Sequence, residues 1–295
     1  MKPAAFGYHR AHDVTDAIGL LGEFTAAGAE PKVIAGGQSL IPMMNFRLAR
    51  PDVLVDLAPL RRDPTLTAIR REDGALRIGA LTTHRAVEVA GSALGRGFGV
   101  LAEAMRWVGH LPIRSRGTVG GSLVHGDATA EWCLLALLLD AQIVAEGPRG
   151  RRLIPAAEMF HGFYTTAVAP DEVVTEVRFT RPAPRAALTE FARRHGDFAT
   201  VGAAVALDTG ASGTLTGGRV VLGGVAPAPV RVPEAEAVLA GGTPGPELFD
   251  ACGAAAAAAV DPPTDAAGSG AYRRRLTRTL VARALRQAWE KGNTE

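Results

Sequence analysis

Apolar residues at Val14, Ala17, Ile18, Leu21 and Phe24 recur at helical spacing, and Asp13 stands where an N-cap belongs. A helix therefore begins at Asp13. Lys32–Ala35 reads as a short strand. Leu40–Leu48 reads as a helix, with Pro42 tolerated in its first turn, and Asp52–Leu57 as a second strand. Together these make a βαβ-like unit of about sixty residues.

Leu76–Ile78 is strand-like, and Thr82 or Thr83 caps a helix running through Ala90. Gly99–Val108 predicts a helix that stops before Gly109, and a further helix runs from about Thr129 to Leu139. Ala141–Ala145 and Glu172–Phe179 follow as strands, and Pro182 with Pro184 marks a boundary. Beyond it the pattern predicts strands at Leu188–Arg193, Val201–Leu207 and Arg219–Val225. Helices come next, at Pro233–Leu239, Glu247–Val260 and Tyr272–Lys291. Strands followed by helices make an α+β layer. The chain thus divides into 1–60, 61–181 and 182–295.

The 295 residues are 47% apolar and 21% charged, enough for packed cores and against wholesale disorder. The net charge of +2 comes with no basic stripe, so no nucleic-acid partner is expected. The densest cluster, Arg273-Arg274-Arg275, spreads around a helix and reads as a solvated face. Cys133 and Cys252 stand apart in apolar surroundings; they read as buried free thiols and exclude a four-thiolate cluster or zinc site. The longest apolar run, Trp132–Leu139, is too short to cross a bilayer, and the N-terminus lacks a signal-peptide stretch. A cytoplasmic protein with no integral membrane segment is expected.

Two glycine segments about eighty residues apart carry the chemistry. The first is Val33-Ile34-Ala35-Gly36-Gly37-Gln38-Ser39-Leu40, the second Arg116-Gly117-Thr118-Val119-Gly120-Gly121-Ser122-Leu123. Each sets paired glycines beside a hydroxyl residue, where bare main-chain amides can approach an anion. Neither is GxGxxG or a P-loop. A single segment reads equally well as a plain glycine turn; the pair suggests a diphosphate held from two sides, chiefly by amides. His125, Asp127 and Glu131 follow the second segment, but no other cluster completes a metal ligand set. Arg193–Ala199 is a charged hairpin turn with Gly196-Asp197 at its tip, or else a platform that sets Phe198 against a flat ring. No nucleophile–base pair emerges.

The stretch Ala35–Met44, followed by Arg47–Pro51, resembles the first flavin motif of the molybdenum hydroxylases, and Gly117–Asp127 resembles their second. Phe160–Ala167, Asp171–Phe179 and Arg193–Ala199 extend the likeness over nearly the whole chain. The likeness is to the medium, FAD-binding subunit of the aerobic carbon monoxide dehydrogenase and xanthine dehydrogenase group. It implies two FAD-binding subdomains in a vanillyl-alcohol-oxidase-like fold (residues 1–60 and 61–181) and a C-terminal α+β domain over the flavin (182–295). It further implies that Val33, Ile34, Ala35, Gly36, Gly37, Gln38, Ser39 and Leu40 wrap the pyrophosphate, with Gly117, Thr118, Gly121 and Ser122 opposite. His125, Asp127 and Glu131 fall toward the adenosine half, Val173 joins the set, and Phe198 lies near the isoalloxazine. Two positions depart from the pattern: Ala128 replaces a common proline, and Glu190 stands where many relatives carry lysine.

The resemblance implies an electron-transfer subunit without catalytic residues of its own. A large partner would hold molybdopterin and a small one two [2Fe–2S] clusters, in a dimer of heterotrimers. Two other readings stay open at this level. One is a self-contained flavin oxidase using His195 or Tyr164 as base. The other is a flavin-free scaffold.

Overall fold

The computed structural model describes residues 1–210 and 213–291. The first region holds β1 (Gly7–Arg10), α1 (Val14–Ala26), β2 (Pro31–Ile34), α2 (Leu40–Asn45) and β3 (Val53–Asp56). Asp13 caps α1 by accepting from the Asp16 amide at 2.8 Å. The three strands form a parallel sheet in the order β1-β3-β2. The β2–α2–β3 unit is as the pattern predicts, but β1 was not foreseen, because Gly7-Tyr8-His9-Arg10 is an exposed edge without apolar alternation. Helix α2 ends at Asn45 rather than Leu48, and Arg47 turns the chain with φ +59°.

The second region runs through α3 (Pro64–Thr67), β4 (Ile69–Glu72), β5 (Ala75–Gly79), α4 (His84–Glu88), α5 (Gly99–Ala104), α6 (Leu111–Arg114), α7 (Val119–His125) and α8 (Glu131–Leu138). It continues with β6 (Ala141–Gly147), β7 (Gly150–Pro155), the small hairpin β8 (Phe160–Gly162) and β9 (Thr165–Thr166), and β10 (Val173–Phe179). Five of these strands make an antiparallel sheet in the order β4-β5-β10-β6-β7. Thr83, not Thr82, caps α4. Helix α8 begins at Glu131 rather than Thr129, because Asp127 Oδ1 takes both the amide and the hydroxyl of Thr129 in a turn (2.8 and 2.7 Å). The second glycine segment is not a turn: Val119–His125 is helical, with Gly120 and Gly121 in its first turn.

The third region is a four-stranded antiparallel sheet, β11 (Ala186–Phe191), β12 (Val201–Thr209), β13 (Leu215–Gly223) and β14 (Val230–Arg231), followed by α9 (Pro233–Leu239), α10 (Pro246–Ala259) and α11 (Gly270–Lys291). Strand alternation splits its side chains between two cores. Leu188, Ala204, Ala206 and Val221 join the core built around Trp132, Phe98 and Phe179, whereas Ala203, Val205, Val220 and Leu222 pack with Phe249, Leu280 and Leu285 of the C-terminal helices. The sheet is therefore covered on both faces. Helix α8, buried from Trp132 through Leu138, is the layer between it and β6. An apolar run all round a helix is what such a central position demands.

Arg273 corrects the solvated-face reading of the arginine triplet. It is 4% exposed. Its Nη1 donates to the Thr200 and Gly224 carbonyls at 2.6 and 2.8 Å, and its Nη2 bonds both Asp265 carboxylate oxygens at 2.7 Å. Arg274 does lie outside, paired with Asp261, while Arg275 sits over the Tyr272 ring. Both cysteines are buried free thiols. Among the described residues no helix is long and apolar enough to cross a membrane.

Candidate cofactor-binding site

The two glycine segments meet. Val33 and Ile34 end β2, Ala35–Ser39 turn the chain, and Leu40 opens α2. Gly37 takes φ +71°, which a residue with a Cβ adopts only with strain. Gln38 Nε2 closes the turn on the Gly36 carbonyl at 3.0 Å. That leaves a run of donors. Among the described residues, the amides of Gly36, Gly37, Gln38, Ser39 and Leu40 donate to no protein acceptor. A Cβ built on Gly36 would lie 2.7 Å from Gly117 Cα and hard against the Arg116 carbonyl oxygen, so only glycine permits this approach. Ala35 Cβ comes within 3.9 Å of where a Cβ on Gly121 would be. Backbone drawn this tightly around unpaired amides is the geometry of an anion cradle.

The second segment contributes differently from expectation. Its four amides from Val119 to Ser122 are spent inside the protein: Val119 on Thr82 O (3.0 Å), Gly120 on Ala80 O (2.9 Å), Ser122 on Thr118 O (3.0 Å) and Gly121 on Thr118 Oγ1 (3.1 Å). These bonds lock α7 onto the segment before α4. What it offers a ligand is the Ser122 hydroxyl and a wall of glycine backbone, not a second row of donors. Gly121 is exposed and Ser122 partly so, on the side that faces Ala35.

His84 braces this wall from beneath. It is 5% exposed, its Nδ1 accepts from Trp132 Nε1 at 2.9 Å, and its Nε2 lies 2.7 Å from where a Gly117 Cβ would stand. Burial, with the Arg114 charge adding to it, lowers its pKa to about 4, so the ring is neutral at pH 7. His84 was not singled out in the sequence, because a lone histidine after a capping threonine carries no signal of its own.

The remaining predicted residues fall into two groups. His125 ends α7 with its ring 4.9 Å from that of Tyr164. Burial lowers its pKa, Asp127 works against this, and Lys32 on β2 adds to the lowering. Asp127 is 8% exposed, and its carboxylate is engaged with Thr129 and, at 3.4 Å, with the Tyr164 hydroxyl. Its evident work is to shape the turn into α8. Val173 opens β10 and is buried in the core with Leu21, Val55 and Leu81, where Val33 and Ala35 also pack; it supports the first segment from below. Phe198 lies in the β11–β12 hairpin, 67% exposed. That hairpin touches the second region where the His195 and His110 rings meet at 5.3 Å and His110 packs on Gly196. The segment is the charged turn the sequence suggests, with Gly196 at φ +87°.

Glu131 and Glu190 face each other across the seam between α8 and β11. Glu190 is 8% exposed, and its cross-strand partner Gly202 abuts Leu134, one turn along α8 from Glu131. Burial raises both carboxyls. The charge of Asp127 adds to the rise at Glu131, and that of Glu131 to the rise at Glu190. Position 190 thus holds a buried carboxyl with a raised pKa and not a cation. Arg193, on the same hairpin, donates to the Ala266 carbonyl at 3.5 Å.

The chain is similar to known proteins along nearly its whole length. Residues 4–182 match the family described as the FAD binding domain in molybdopterin dehydrogenase, and residues 186–288 match the CO dehydrogenase flavoprotein C-terminal domain. The chain is 39% identical to the 6-hydroxypseudooxynicotine dehydrogenase complex subunit alpha of Paenarthrobacter nicotinovorans, over 98% of this chain and 96% of that one. It is 38% identical to the nicotine 6-hydroxylase medium subunit of the same organism, over 98% and 99%. Among solved structures it matches a chain of the carbon monoxide dehydrogenase from Hydrogenophaga pseudoflava with a TM-score of 0.91 and 36% identity, covering 99% of each chain.

Proposed function

The chain belongs to the FAD-binding family of the molybdopterin dehydrogenases, and on that premise we propose that it is the medium, electron-transferring subunit of a heteromeric molybdenum hydroxylase. A small partner carrying [2Fe–2S] clusters delivers electrons, and a large partner with molybdopterin oxidises the substrate. The residues of this chain would hold FAD, which would supply the route for electrons to an external acceptor. The observation that carries the reading is the cradle itself: five consecutive unpaired amides in a turn pressed against Arg116–Gly117.

Bound FAD supplies redox chemistry that takes electrons singly and gives them up in pairs. Everything else is the work of the chain's own residues. The amides of residues 36–40 bind the diphosphate. Gln38 fixes the turn that aims them, Ser122 donates from the other side, and His84 with Trp132 keeps the Gly117 wall in place. His125, Asp127 and Glu131 line the way toward the adenosine, and Phe198 stands toward the ring. Residues 1–60 and 61–181 form the two halves of the clasp, and 182–295 the cover. Choice of substrate rests with the large partner. Two buried thiols cannot ligate a cluster, in keeping with this division of labour.

The test is direct. The purified chain takes up one FAD, seen as a flavin absorption band and quenched fluorescence. Co-purification with its partners brings molybdenum and iron in addition. A colourless chain that takes up no FAD, alone or in the complex, refutes the proposal. Turnover of an organic substrate by the chain alone replaces it with a self-contained oxidase.

A further inference from the structure

We infer that Arg61 is a positioning residue for the diphosphate, a cation at the junction of the two halves of the clasp that holds the glycine wall of the second. This rests on the reading of the cradle given above. Arg61 lies in the short 3-10 helix Ala58–Arg62 after β3. That turn is anchored at its start: the Leu57 amide donates to Ile34 O at 2.9 Å, at the end of β2, and the Ala58 amide to Asp56 Oδ1 at 2.9 Å. The position of Arg61 is therefore tied to the strand that launches the first glycine segment.

From there the guanidinium crosses to the second segment, where Nη2 donates to the Arg116 carbonyl oxygen at 3.0 Å. This is the oxygen that presses on Gly36. Two consequences follow from its place. A carbonyl pointing at Gly36 presents a negative end beside the row of amides meant for an anion, and it would repel a phosphate there. The Arg61 hydrogen bond occupies that oxygen and brings a full positive charge to the edge of the cradle. It also fixes the separation of the two segments, because one end of the bridge is rooted beside β2 and the other bonds the residue before Gly117. The residue is half-buried, its Nε is enclosed without a partner, and its charge is not neutralised by any carboxylate among the described residues. A cation kept unpaired at such a spot serves an anion that arrives from outside.

The experiment uses the full chain, stripped of flavin, with Arg61→Met and Arg61→Lys. FAD affinity is read by fluorescence quenching at low and high salt, and inorganic pyrophosphate serves as competitor. Arg61→Met is expected to raise the Kd for FAD about tenfold and to flatten its salt dependence. Arg61→Lys restores the salt dependence and most of the affinity, which a merely structural role would not predict. Gly37→Val is the control for the cradle. If Gly37→Val abolishes uptake while Arg61→Met binds FAD as the wild type does, the role of Arg61 is overturned and the cradle stands. If neither variant changes uptake, the cradle itself is misplaced. Should Arg61→Met fail to fold, Arg61→Lys and wild type at two salt concentrations decide: wild-type affinity insensitive to salt overturns the inference.

Discussion

Gly36 and Gly117 meet backbone to backbone, with a Cβ on Gly36 falling 2.7 Å from Gly117 Cα. Residues about eighty apart in sequence thereby close one crevice. Gly36→Ala must push the two segments apart, since backbone, not a flexible side chain, stands in the way. FAD content of the purified chain is expected to fall at least tenfold. The matching control is Gly19→Ala in α1, where nothing lies within 4 Å of the added carbon; it should stabilise by about 0.5–1 kcal/mol with flavin content unchanged. Retention of full flavin by Gly36→Ala would show that the crevice is not where the cofactor sits.

Thr118 caps α7 through the Gly121 amide. Thr118→Ala should cost about 0.5–2 kcal/mol in urea unfolding and loosen the Ser122 side of the cradle, while Thr118→Ser keeps the cap and most of the stability. Equal stability of the alanine and serine variants would show that the cap contributes nothing.

The raised carboxyls make stability depend on pH in a stated direction. A folded chain in which Glu131 and Glu190 hold protons that the unfolded chain releases must lose stability as pH rises from the ordinary carboxylate range toward about 9. His84 acts oppositely, costing stability as pH falls from about 6.5 toward 4, but it is silent above that window. Between pH 7 and 9 Glu190 therefore sets most of the slope, and the buried Cys133 and Cys252 thiols, also raised, add to it in the same direction toward pH 9. The melting temperature of the wild type should fall across this interval, and Glu190→Gln should flatten the fall and melt higher at pH 9. A wild-type melting temperature that climbs over the same range would contradict the assignment.

Arg273 is the only buried arginine among the described residues, and it holds two carbonyls and Asp265 together. Arg273→Met leaves the Thr200 and Gly224 oxygens unmet in the interior and should cost about 3 kcal/mol in equilibrium unfolding. A loss below about 0.5 kcal/mol, the range of an ordinary surface substitution, would mean that water replaces the guanidinium at no penalty.

What the sequence made legible followed from strong periodicity. Asp13 with its helical stripe, the strand–helix–strand unit around Gly36, and the alternation of β12 and β13 were all readable because one face of each element must be buried. Strands β1, β4 and β7 were not, since Tyr8-His9-Arg10, Arg70-Arg71 and Arg151-Arg152 place polar residues on exposed edges where pairing, not hydrophobicity, makes the strand. Helix α7 was missed because Gly120-Gly121 argues for a turn, while tertiary bonds from Ala80 and Thr82 decide for a helix. Glycine spacing pointed to the cradle, but which segment keeps its amides free depends on the distant residues Ala80 and Thr82. Arg61 gave no signal, because its partner is a main-chain oxygen and no side-chain pattern encodes it. Arg273 was misread for a similar reason: charge composition does not reveal which of three adjacent arginines points inward.

Helix α8 supplies one wall to both the flavin-binding region and the C-terminal sheet, so the divide at Pro182 is a boundary along the sequence and not in the interior. A truncation at that point would bare Leu134, Leu137 and the Trp132 neighbourhood along the whole length of α8. The flavin-binding half is thus no portable cassette.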